Sequence, residues 1–140
     1  MVLIVDNEER SVTVLCRLVR AWLSDAGLPE AIGIVGSCSA HAAITTIAAT
    51  KGSLPFFLIT DGEMPVMSGT ELIRRTHVQM GSFPSAKSYC TVMMSGNYDL
   101  FKDAHLVGAR RFFQKPLPDE ESAVLKKMIV DFFRDACVAR

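Results

Sequence analysis

Five short apolar runs punctuate the chain: "VLIV" (2–5), "IGIVGS" (32–37), "FFLIT" (56–60), "CTVMMS" (90–95) and "RFFQ" (111–114). Three of them lack the polar–apolar alternation of a half-exposed sheet, which suits parallel strands covered on both faces. The intervening segments carry helical spacing instead. Val12, Leu15, Val19 and Trp22 mark one face of the first, and Gly27 with Pro29 ends it. The second, 39–52, carries Ile44, Ile47 and Ala48 and stops at Gly52. In the third, Ser68 and Glu71 form a capping-box pattern ahead of Leu72 and Ile73. Leu100, Phe101, Ala104 and Val107 give the fourth an apolar face before Gly108. The fifth opens with Pro118, Asp119, Glu120 and Glu121, which suit a helix N-terminus, and presents Val124, Leu125, Met128, Ile129 and Phe132 as its buried stripe. The order βαβαβαβαβα predicts an α/β domain, 1–140, with five parallel strands in an open sheet and five helices over its faces.

Composition narrows what such a domain does. Fifteen basic residues balance fifteen acidic ones, with no polybasic segment, so direct nucleic-acid binding has no electrostatic support. Cys16, Cys38, Cys90 and Cys137 are scattered without a Cys-x-x-Cys pair, which favours reduced thiols and a cytoplasmic protein. His41, His77 and His105 are equally dispersed and give no zinc pattern. "MVLIV" stops at Asp6, too short for a signal peptide's apolar region or a membrane span.

In open parallel sheets the functional crevice lies beyond the carboxyl ends of the strands. Here the first strand ends in Asp6-Asn7-Glu8, the third in Asp61 with Glu63 following, the fourth in Ser95-Gly96 and the fifth in Lys115-Pro116. Each alone has a structural explanation. Asp6-Asn7 and Asp61 are ordinary caps or turn residues, Ser95-Gly96 is turn chemistry, and Lys115 is a solvated strand end. Four of five strands bringing such groups to one edge favours a site. A flavin or dinucleotide pocket is excluded, because its first loop must cradle phosphate with glycine or hydroxyl residues, and Asp-Asn-Glu-Glu would repel it. Clustered carboxylates push one another toward protonation unless a cation intervenes, and magnesium suits one or two carboxylates with phosphate and water. With Asp61 as nucleophile and Lys115 facing the incoming group, the layout reads as phosphoryl transfer to a carboxylate.

These residues resemble the receiver domain of two-component response regulators, over essentially the whole chain and similar to its single-domain chemotaxis type. "LIVDNEE" resembles the family's acidic first loop, "ITDGEMPVMSGTEL" its phosphoacceptor segment, "VMMSGN" its strand-four hydroxyl and "GARRFFQKP" its Lys-Pro ending. The resemblance implies a flavodoxin-like doubly wound fold. It implies that Asp61 is the phosphoacceptor, that Asp6, Asn7, Asp61 and the Glu63 backbone carbonyl hold Mg2+, and that Lys115 and Ser95 contact the phosphoryl oxygens. Phe112 falls at the switch aromatic, with Phe113 pointing the other way, and a cis peptide joins Lys115 to Pro116. One departure is Asn7, at a position where the family usually has the metal-binding carboxylate. An amide oxygen still ligates a hard cation but brings no charge, so weaker magnesium binding is expected. Glu63 and Asn97 fall where the family tunes the lifetime of its phosphoryl group.

The expected function is a phosphorylation-controlled switch, regulatory rather than enzymatic, assisting only its own phosphorylation and dephosphorylation. Its partners would be a histidine kinase or histidine phosphotransfer protein, and a downstream target or fused output domain. Asn7 keeps a second reading open, a pseudo-receiver that binds partners independently of phosphate. A phosphatase of the haloacid dehalogenase type needs Asp-x-Asp after its first strand, whereas this chain has Asp-Asn-Glu.

Overall fold

A computed structural model of the chain describes residues 1–50, 52–81 and 89–138. It contains strands β1 (Val2–Val5), β2 (Ile34–Ser37), β3 (Phe56–Asp61), β4 (Tyr89–Ser95) and β5 (Arg111–Gln114). Helices α1 (Glu9–Asp25), α2 (Ala40–Thr50), α3 (Gly69–Gly81), α4 (Phe101–Leu106) and α5 (Asp119–Val138) alternate with them, and one 3-10 turn, Tyr98–Leu100, leads into α4. The strands form one parallel sheet in the order β2-β1-β3-β4-β5. This is the doubly wound architecture that the alternation of patterns predicts. No helix among the described residues is long and apolar enough to cross a membrane.

Strand side chains alternate between faces, so the sheet builds two cores. Leu3, Val5, Phe56, Leu58, Met93 and Phe112 pack with Ala43 and Ile47 of α2, Leu72 and Ile73 of α3, and Ala104 of α4. Val2, Ile4, Phe57, Ile59, Val92 and Phe113 pack with Val19 and Leu23 of α1 and with Leu125, Ile129 and Phe133 of α5. Phe112 and Phe113 thus face opposite ways, as alternation requires. Each fully buried large side chain contributes roughly 1.5–3 kcal/mol relative to exposure, and this core fixes the heights at which the strands end.

Several boundaries differ from the sequence expectation. β2 begins at Ile34 because the Ile32 N–H is taken by the Pro29 carbonyl in a turn. Ser68 caps α3 through the Glu71 N–H, but the Glu71 carboxylate pairs with Arg74 and Arg75 instead of completing a capping box. In α5 the deepest row is Leu125, Ile129 and Phe133, while Val124, Met128 and Phe132 are only half-buried. Lys51, within the second helical segment, lies outside the described residues.

The end of the sheet away from the strand tips is tied by His77. From α3 its Nδ1 is 2.9 Å from the Tyr89 hydroxyl and its Nε2 is 3.1 Å from Thr91 Oγ1. Gly108, at φ +99°, ends α4 against the same ring, and a Cβ there would stand 2.8 Å from His77 Nε2. Burial pushes the imidazole below its ordinary 6.5, opposed by a hydrogen bond to the Gly108 carbonyl. The folded chain therefore resists a proton that the unfolded chain accepts. The associated stability is fully present above about pH 6.5 and is lost as pH falls through the lower folded value. In urea unfolding, acidification from pH 7.5 to 5 should lower the wild-type midpoint more than that of His77→Gln, which offers similar hydrogen bonds without titrating.

Candidate functional site

Strand register alone assembles the edge. Val5 of β1 lies beside Thr60 of β3, so Asp6 and Asp61 leave the sheet at the same level. Asp61 lies beside Met94 of β4, placing Ser95 one step beyond. Ser95 pairs with Gln114 of β5, and the Lys115 N–H donates to the Ser95 carbonyl at 2.9 Å. Sequence-distant residues thus meet because four apolar strands share one register.

The side chains then converge. Lys115 Nζ donates to Asp6 Oδ2 at 2.8 Å and lies 3.5 Å from Asp61 Oδ1. The Glu8 N–H donates to Asp6 Oδ1 at 2.9 Å, and the Gly62 N–H donates to Asp61 Oδ1 at 2.8 Å. Asp6 is 7% exposed, which makes its pairing with a cation necessary. The peptide between Lys115 and Pro116 is cis. Gly69, which opens α3, must be glycine, because a Cβ there would stand 2.0 Å from the Asp61 carbonyl oxygen.

Burial raises the Asp61 carboxyl above its ordinary 3.8; the Lys115 ammonium opposes that, the neighbouring Asp6 reinforces it, and the Gly62 and Glu63 N–H groups lower it. For Lys115, burial alone would lower the value. The Asp6 hydrogen bond and the charges of Asp61 and Asp6 outweigh it, so Lys115 sits above its ordinary 10.5. One ammonium serves two carboxylates, leaving the edge with an excess of negative charge.

Among the described residues, no group of three His, Cys, Asp or Glu side chains is placed to hold a metal ion. The oxygen donors at this edge are the Asp6 and Asp61 carboxylates, with the Asn7 amide and the Glu63 carbonyl in the adjoining loops. Asn7 is exposed and uncharged. Such a hard-oxygen set with two carboxylates is what magnesium accepts, the remaining positions going to water.

Ser95 is buried, and its Oγ accepts the Asn97 N–H at 3.1 Å. Phe112 is buried under two rings, with Tyr98 and Phe101 each 5.9 Å away and edge-on at 84°. Tyr98 and Phe101 are themselves stacked at 5.4 Å. Glu63 turns its carboxylate to the Asn97 side-chain amide across the mouth of the pocket. A groove of about 540 Å³ runs from Asp6, Asp61 and Lys115 along α1, with Val14 and Leu18 exposed beside it.

The structure thus brings Asp6, Asp61, Lys115 and Ser95 to one edge and sets Phe112 beneath it, leaving Asn7 and Glu63 on the rim. Sequence reasoning did not find the direct Glu63–Asn97 bond or the Tyr98 cover. The aromatic spacing of Tyr98 and Phe101 was the only local signal for the latter.

No known family profile matches the chain, and no curated protein sequence does. Solved structures do. The receiver domain of a putative LuxO repressor from Vibrio parahaemolyticus is similar at 23% identity and TM-score 0.67, covering 99% of this chain and 92% of that one. A response regulator receiver domain from Clostridium thermocellum is similar at 17% identity and TM-score 0.67, covering 95% of each. The chemotaxis response regulator CheY4 of Vibrio cholerae is similar at 23% identity and TM-score 0.61, covering 91% of this chain and 93% of that one. At these identities the likeness is one of architecture, and it agrees with the strand order and the helix placement: this protein has the fold of a response-regulator receiver domain.

Proposed function

We propose that the chain is a phosphoacceptor switch of a two-component relay, receiving a phosphoryl group on Asp61 from a histidine kinase or histidine phosphotransfer protein. The observation that carries this reading is the placement of Lys115 Nζ 2.8 Å from Asp6 and 3.5 Å from Asp61, beside the Ser95 strand end. A structural salt bridge needs one carboxylate. A second one, kept above its ordinary pKa by burial, is a nucleophile held where charge is costly.

In the proposed transfer, an Asp61 oxygen attacks the phosphorus of a phosphohistidine. The P–N bond breaks as the P–O bond forms, and the electron pair returns to the imidazole nitrogen. Lys115 shifts its ammonium toward the developing phosphoryl charge, and the Gly62 N–H holds Asp61 Oδ1, the oxygen that Lys115 also faces. Asp6, Asp61, Asn7 and the Glu63 carbonyl would hold Mg2+, which supplies neutralisation of phosphoryl charge when bound. The apolar groove past Val14 and Leu18 supports approach of a protein donor along α1. The acceptor must be ionised to attack, and in the metal-free pocket burial works against that while Lys115 favours it.

The modification adds about −1.5 to −2 charges at pH 7. Ser95 is the hydroxyl placed to follow the new oxygens. Phe112 is already buried, so its response is a rearrangement of the Tyr98–Phe101 cover rather than a swing in from solvent. A downstream target or a fused output domain would read that change, and a cytoplasmic location belongs to the same reading.

Intact-mass spectrometry after incubation with acetyl phosphate and magnesium should show one phosphoryl adduct, absent from Asp61→Asn. A folded protein with no adduct at raised magnesium would instead mark a phosphorylation-independent interaction module. Asn7→Asp restores the missing charge and should tighten magnesium binding by about threefold to tenfold in calorimetric titration, since ligand charge count tunes such sites. An unchanged affinity would place the metal away from this loop.

A further inference from the structure

Asn97 ties several parts of the pocket rim together. Its N–H donates to Ser95 Oγ at 3.1 Å, and its side-chain oxygen accepts the Asp99 N–H at 3.0 Å, capping the 3-10 turn. Its carbonyl accepts the Leu100 N–H at 3.2 Å. Its side-chain Nδ2 donates to Glu63 Oε1 at 2.5 Å, spanning 34 residues of sequence. One residue therefore joins Ser95, through its backbone N–H, to the loop after Asp61 and the turn into α4, through its side chain.

The two loops also touch through Leu100, whose Cδ1 would stand 2.6 Å from a Cβ on Gly62. That apolar contact can slide. A charge-assisted hydrogen bond is directional and has a narrow distance range, so it resists relative motion of the loops. Tyr98, next to Asn97, is one of the two rings covering Phe112. Because Asn97 is bonded to both Ser95 Oγ and Glu63, a displacement of Ser95 relative to the loop after Asp61 strains one of the two bonds.

We propose that the Glu63–Asn97 hydrogen bond is a latch holding the Ser95–Tyr98 segment, and with it the cover of Phe112, in the unphosphorylated arrangement. Its regulatory meaning rests on the acceptor reading of Asp61, whereas its existence as a mechanical restraint does not. A contact made in only one of two states biases their populations by its own worth, so releasing it raises the switched population without phosphate. The donor is neutral and the acceptor charged, so the hydrogen bond rather than net charge carries the effect. Glutamine at position 63 keeps an oxygen acceptor without the charge and should therefore hold the latch less firmly than glutamate but better than alanine.

Amide hydrogen exchange on the 15N-labelled full chain reads the restraint directly, without phosphate or metal. Glu63→Ala should speed exchange at the Asn97 and Leu100 amides by about threefold to tenfold, the worth of a typical hydrogen bond. Asn97→Ser keeps a short oxygen for the Asp99 N–H but cannot reach Glu63, and should do the same. The double variant should exchange no faster than either single one, and Glu63→Gln, which keeps an oxygen acceptor, should exchange more slowly than Glu63→Ala. Additive effects, no acceleration, or Glu63→Gln matching Glu63→Ala would overturn the latch. In parallel, beryllofluoride with magnesium should bind both latch-breaking variants more tightly by a similar factor, and equal affinity for variants and wild type would also overturn it. Failure of the wild type to bind beryllofluoride would count against the acceptor reading, with the exchange rates still deciding the latch.

Discussion

The Lys115 ammonium, shared between Asp6 and Asp61, is the contact on which the pocket depends. Removing the cation between buried Asp6 and half-buried Asp61 leaves charges that their surroundings solvate poorly, and breaking buried pairs costs several kcal/mol in general. The Lys115 N–H donates to the Ser95 carbonyl, which ties its backbone to β4. The sheet supplies the rest. Two apolar layers clamp β1, β3, β4 and β5 at a common height, and the polar groups begin where the apolar runs stop.

The same geometry joins the pocket to a surface. Ser95 ends β4, Asn97 binds its hydroxyl, Tyr98 follows, and Tyr98 with Phe101 covers Phe112 on β5. That chain of contacts runs along a short segment whose helix is only six residues long. A helix of that length contributes little stability of its own. A shift at Ser95 can therefore reach the exposed face of α4 without disturbing the strands.

Much of this was legible in the sequence because the signals were local. The strands are apolar runs that parallel burial demands, and the site residues are the first polar groups after them. What escaped was set by competition between equal local options. In α5 the rows Val124–Met128–Phe132 and Leu125–Ile129–Phe133 are both apolar at helical spacing, and only contact with the sheet selects the second as the deeper. Glu71 had two candidate partners, and Arg74 and Arg75, one turn away, outcompete the backbone N–H of a capping box. The Glu63–Asn97 bond has no local rule behind it at all, since it exists only once β3 and β4 lie side by side.

A crystal structure of the protein with magnesium and beryllofluoride tests the central claim most directly. The account predicts beryllium bonded to an Asp61 carboxylate oxygen, with fluorine atoms within hydrogen-bond distance of Lys115 Nζ and Ser95 Oγ. An unmodified Asp61 in well-ordered density, with Lys115 still bridging it to Asp6 and Ser95 still held by Asn97, would contradict it.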